Sequence, residues 1–140
     1  MIDLIEIQKL IYDRLSLLPY TVVDEFVSYQ QTETPYIQVG SLHIADNNTK
    51  NTKGLEIEQY INVYSTYRGK KEILQISQDI SEVMNETMKY TTNKIDANNN
   101  LQEVVYKIFI DEDTRTIMLD EDKNGNKFYH AVLIFNLHIN

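Results

Sequence analysis

The densest candidate chemistry in this chain is acidic: Asp111, Glu112 and Asp113, followed by Asp120, Glu121 and Asp122. Carboxylates at this density can hold two divalent metals for phosphoryl hydrolysis, provided rigid elements fix them. Here both triplets read as turns at strand ends, where carboxylates stand solvated. Asp120, Asp122, Asn124 and Gly125 also match positions one, three, five and six of a calcium loop. The closing glutamate would be residue 131, which is Ala131, and no helical pattern flanks the run. Asn124-Gly125 is a hairpin dipeptide, and a solvated turn is the better reading. His43, His130 and His138 each fall in a strand pattern, without the helical His-x-x-x-His spacing of a zinc enzyme. His130 and His138 share a face but stand about 27 Å apart along it, too far to share a metal. There is no cysteine, which removes thiolate sites, thiol nucleophiles and disulfides together. No nucleophile elbow, phosphate loop or dinucleotide fingerprint is present. The sequence therefore predicts no catalytic residue, no cofactor and no metal ligand.

Three sets of residues point to binding instead. Arg68, Lys70 and Lys71 crowd the start of a helix, where the helix dipole disfavours cations. In an acidic protein such a knot suits a neighbour's carboxylate. Asp46, Asn47, Asn48, Lys50 and Lys53 belong to a polar loop, 45–54, that has nothing to bury. A loop this long between two strands suggests contact with a partner, with ordering on binding. Tyr60 and Tyr64 share a strand face with one another, opposite the apolar positions of that strand.

The elements that position these residues are read from hydrophobic period. Leu55, Ile57, Ile61 and Val63 alternate with Glu56, Glu58, Tyr60, Asn62 and Tyr64, which predicts a half-buried strand over 55–64. After Ser65 to Gly69 the period becomes helical: Ile73, Ile76, Ile80, Val83 and Met84 line one side. Burying each of these is worth roughly 1.5–3 kcal/mol as an upper bound. Asp3 predicts the N-cap of a first helix over 4–17, ended before Pro19. A weaker strand is expected over 21–29 and a clearer one over 36–44, with Gly40 marking a bulge or a close approach. The segment 90–100 reads as a polar connector, 101–111 as a strand, 112–118 as ambiguous and 128–139 as the last strand. The expected fold is a single α+β domain: a mostly antiparallel sheet of four to five strands, with two helices packed on one face. The other face would carry Tyr60, Tyr64, His130, Val132 and Ile134, an apolar and aromatic surface that suits oligomerisation.

Composition sets the outer bounds. At 140 residues, 42% hydrophobic and 24% charged, the chain can bury one core without staples. Its net charge of −8 makes it a poor grip for nucleic acid or anionic membrane, though DNA could pass beside it. The opening Met1-Ile2-Asp3-Leu4-Ile5-Glu6 places acids where a secretory leader needs bases, and no apolar run approaches the ~20 residues of a membrane span.

Taken in order, several segments resemble the tail-terminator family of long-tailed bacteriophages, also called tail-completion or head–tail joining proteins. They are the opening helix from Ile5 to Leu15, then Thr34-Pro35-Tyr36-Ile37-Gln38-Val39-Gly40. Next come Asn62-Val63-Tyr64-Ser65 and Arg68-Gly69-Lys70-Lys71-Glu72 with the helix behind them. Asp122 to Gly125 and His130-Ala131-Val132-Leu133-Ile134-Phe135 close the set. The family often has glycine where this chain has Ala131, and the acidic stretch from Glu112 to Glu121 is longer than usual. The resemblance implies a virion structural protein without catalytic residues. Such proteins form a six-membered ring on the last ring of the tail tube, at the tail–neck junction, after assembly in the host cytoplasm. The ring stops tube polymerisation and meets the head connector or stopper protein, and DNA passes through its hole without specific binding. The expected partners are therefore further copies of the chain, the tube protein and the connector, and no membrane.

Three alternatives stay open at this stage. One is a head-completion or neck protein of the same assembly. Another is a metal-dependent hydrolase built on the 111–122 acid cluster, which would bind manganese or magnesium tightly. The third is an oligomeric adaptor unconnected with a phage.

Overall fold

A computed structural model describes residues 3–26, 33–46, 48, 54–86 and 88–139, with only the backbone described at 90, 92, 94, 111 and 112. The element order is α1 (Leu4–Leu15), β1 (Thr21–Asp24), β2 (Tyr36–Asp46), β3 (Leu55–Ser65), α2 (Lys71–Met84), β4 (Met88–Ile95), β5 (Leu101–Glu121) and β6 (Lys127–Ile139). The architecture is α+β, but the sheet is larger than expected and mixed. Six strands run in the order β1-β2-β3-β6-β5-β4, with β1 parallel to β2 and the remaining pairs antiparallel.

The helix ends follow local chemistry. The Asp3 carboxylate accepts the Ile5 N–H at 3.0 Å, capping α1. The helix stops two residues earlier than the apolar period suggests. Leu17 and Leu18 donate three residues back, to Arg14 and Leu15, in a tightened last turn. Arg14, in that last turn, reaches Glu86 beyond the end of α2 at 2.8 Å. The Tyr20 hydroxyl donates to Asp79 of α2 at 2.7 Å; burial and then that carboxylate push its pKa up to about 12. Ile7, Ile11 and Leu15 of α1 and Ile73, Ile76, Ile80 and Met84 of α2 enter one core with Ile37, Ile61, Val63, Leu133 and Phe135. Both apolar stripes thus cover the same sheet face.

Two bulges explain where the strand patterns break. In β2 the register shifts between Val39 and Leu42, so the core face passes from Ile37 and Val39 to Leu42 and Ile44. Gly40 sits in this bulge, and a Cβ there would lie 2.8 Å from Asn62 Nδ2 and 3.1 Å from the Tyr60 carbonyl. The expected bulge and the expected close approach are therefore both present. In β5 the register shifts between Ile110 and Glu112. Before the shift Ile108 and Ile110 lie opposite Ile139 and Leu137; after it Asp113, Arg115 and Ile117 occupy that face. The bulge flips the parity of the strand, so the acids at 111–113, read from sequence as a turn, lie inside one continuous strand.

The segment 90–100, read as a connector, is mostly strand. β4 pairs with β5 from Met88↔Ile108 to Ile95↔Leu101, closed by a turn over 96–100. An edge strand needs backbone pairing on one side only, so it can form from a polar sequence. β6 pairs with β5 only from Ile108 onward, so β4 and the first third of β5 run on beyond β6 as a two-stranded ribbon. Ile95 and Leu101 near its tip are exposed.

Candidate assembly surfaces

The acid cluster does not converge. Asp113 lies opposite Phe135 and Asp120 opposite Phe128, which separates them by about 23 Å along β5 at a strand's rise per residue. Asp122 is committed to its turn: its carboxylate accepts the backbone N–H groups of Asn124 at 2.8 Å and Asn126 at 2.9 Å. Those bonds, the Asn126 one foremost, hold its pKa below the usual carboxylate value. Gly125 takes φ of 80°, as the turn requires. Among the described residues no three metal-ligating side chains gather.

The sheet face away from the helices is organised around Tyr64. The register sets Tyr64 opposite Tyr36 on β2 and opposite His130 on β6. The three rings form a ladder across the strands: Tyr64 stacks on Tyr36 with centroids 5.0 Å apart and on His130 at 4.5 Å. Phe128 tilts against Tyr64 at 6.1 Å. His130 Nε2 lies 3.0 Å from Asn62 Oδ1, and Asn62 donates to Gln38 Oε1 at 3.3 Å. An amide oxygen only accepts, so in this arrangement His130 carries its proton on Nε2, and Nδ1 faces Asp120 at 3.9 Å. Burial pushes the His130 pKa below the ordinary value, with the Asp120 carboxylate working against it. Burial, and then Asp120, raise the pKa of Tyr64. Val132 and Ile134 continue the face beside Asn62 and Tyr60. Each is half-buried with no helix above, which matches the expected second face.

The basic knot lies at one end of this sheet. Ser65 Oγ donates to Glu72 at 2.7 Å and accepts the Tyr67 N–H at 3.2 Å, folding the chain from β3 into α2. Gly69 takes φ of 127° in that turn. Lys70 is the N-cap of α2 but makes no side-chain capping bond. Arg68, Lys70 and Lys71 are all exposed, and none makes an ion pair among the described residues. Asp46 and Asn48 lie at the other end, where Asp46 closes the ladder opposite Leu55. Asn47, Lys50 and Lys53 fall outside the described residues. The structure thus divides the candidate contacts between two ends and one face instead of gathering them.

Three features were absent from the sequence reading. Gln59 is fully buried among apolar neighbours, and its Nε2 donates to the carbonyls of Tyr60 at 2.9 Å, Gly40 at 3.1 Å and Ser41 at 3.4 Å. It ties the β2 bulge to β3. Its position midway between Ile57 and Ile61 was the available signal. Tyr36 is fully buried although it lies on the helix-free face, where Tyr64 stacks on it. A recess of about 380 Å³, lined by His43, Ala45, Glu56, Glu58 and Asn136 together with Ile57 and Leu137, opens on that same face at the end far from the basic knot. Glu58 lies opposite His43 and Asn136, and Glu56 opposite His138, whose Nδ1 is 3.6 Å away. The Tyr60 hydroxyl donates to Glu58 at 2.7 Å, and that bond raises its own pKa.

The sequence matches no family model and no curated protein. The fold has a solved counterpart. It is similar to that of a chain in the virion of the native gene transfer agent (GTA) particle, with a TM-score of 0.61. The likeness covers 94% of this chain and 92% of that one, at 14% sequence identity.

Proposed function

We propose that this chain is a virion structural protein of the tail-terminator type. It caps the tail tube as a ring of like copies, stops tube polymerisation and provides the joint to the head connector. It acts by shape and assembly, not catalysis. The observation that carries this reading is the fold likeness to a chain of the gene transfer agent virion, which runs over nearly the whole of both chains. The resemblance of the ordered segments to the tail-terminator family supports the finer role. The geometry is in keeping with it. One sheet face is spent on the helices, while the other presents an aromatic ladder, and a ring needs two different patches on each subunit. A net charge of −8 would repel DNA from the channel wall and let it slide.

The test is to add the purified chain to tail tubes growing from their own subunits. Tube growth should stop, with density added at one end of each tube. Tubes that lengthen as fast with the chain as without it would contradict the reading.

A further inference from the structure

Resting on that reading of the chain as a self-assembling subunit, we infer that neighbouring copies join head to tail. The basic corner at Arg68, Lys70 and Lys71 of one copy enters the Glu56–Glu58 recess of the next. Three of the chain's 13 basic residues stand within four positions, all exposed and without an ion pair among the described residues. They stand at a helix N-terminus, where the helix dipole disfavours them, so nothing among the described residues gives an electrostatic reason for the placement. The recess is their complement. It has room for an ammonium or guanidinium group, and the Tyr60 hydroxyl holds the Glu58 carboxylate in place from one side. A carboxylate fixed in this way can still take a charge-assisted bond on its other oxygen.

The two patches cannot meet within one molecule. Glu58 and Ser65 are seven residues apart on β3, about 23 Å at a strand's rise, beyond the reach of a lysine or arginine side chain. Nor do they face the same way. Lys71 opens α2, which packs on the helix-bearing face, whereas the recess opens on the other face. A two-fold pair would have to present both patches to one partner at once. A head-to-tail contact needs only one of each, and repeated with a rotation it closes a ring. A phosphate backbone is the other anion such a corner could hold. A chain of net charge −8 disfavours it, and it leaves the matching recess unexplained.

The absence of cysteine allows a direct test. The full-length variants Lys70→Cys, Glu58→Cys and the double variant are treated with a short bismaleimide at low salt and run on a denaturing gel. The double variant should give a ladder of dimers, trimers and higher species. The two single variants mixed should give dimers, and each alone should give monomer. Dimers alone from the double variant would mean two-fold pairing and overturn the proposal. Monomer throughout would overturn it as well. Because the substitutions could disturb folding, a second pair of variants uses charge alone. Lys70→Glu/Lys71→Glu should abolish self-association in sedimentation, and mixing it with Glu58→Lys should restore hetero-association. Failure of that restoration counts against the contact. If the wild type retains duplex DNA and Lys70→Glu/Lys71→Glu does not, the corner serves nucleic acid, and the proposal falls. None of these readouts uses a tail tube. A ladder without tube capping would remove the terminator reading and leave the contact; capping without a ladder would do the reverse.

Discussion

The two faces of the sheet differ in what their side chains do. On the helix-bearing face Ile61, Val63, Leu133 and Phe135 are fully buried, and the one large polar group, Gln59, spends its amide nitrogen on backbone carbonyls. On the other face Tyr60, Tyr64, His130, Val132 and Ile134 are half-buried, with Tyr64 stacked on His130, but uncovered by any helix. Both faces are apolar enough to pack, yet among the described residues only one is closed by the chain itself. Stability is therefore concentrated on the first face, and apolar and aromatic surface uncovered by a helix on the second.

This contrast can be broken most sharply at Phe135. Phe135→Ala should cost about 3–5 kcal/mol in urea denaturation, since a fully buried ring leaves a cavity that the surrounding core only partly fills. Gln59→Leu should cost less, about 1–3 kcal/mol, by leaving the carbonyls of the β2 bulge without their donor. A Gln59→Leu protein as stable as the parent would mean that the bulge holds without its tie. The smallest effect belongs to the other face and depends on pH. His130 has a lowered pKa in the fold, so the folded chain favours the neutral ring and the unfolded chain takes up the proton first. Its contribution is present above the ordinary histidine pKa and is lost as pH falls below it. Melts at about pH 5.5 should thus show a lower Tm than melts at about pH 7.5, and His130→Gln should shrink that difference by a small amount. An unchanged difference would place the titration elsewhere.

Most of the closed face was legible in the sequence, because period-two and period-3.6 patterns record burial. The alternation in β3, the stripe of α2, the Asn124-Gly125 turn and the Gly40 bulge all follow from residue type and spacing. What escaped the sequence is what period does not record. The bulge between Ile110 and Glu112 flips parity, so β5 read as a strand, a turn and an ambiguous stretch. β4 is an edge strand with polar positions such as Lys89 and Asn93, and backbone pairing alone defines it. The parallel pairing of β1 with β2 leaves no mark on a four-residue strand. The candidate contacts were legible as unusual residues, but not their arrangement. Nothing in the order of Arg68, Lys70 and Lys71 says that a recess with Glu56 and Glu58 lies at the opposite end of the same sheet.

Electron microscopy of lysates from a prophage lacking this gene tests the central claim most directly. The account predicts filled heads beside detached tails of irregular, overlong length. Detached tails of normal, uniform length would contradict the capping role and assign the chain to the head side of the neck, and intact virions would remove it from the assembly altogether.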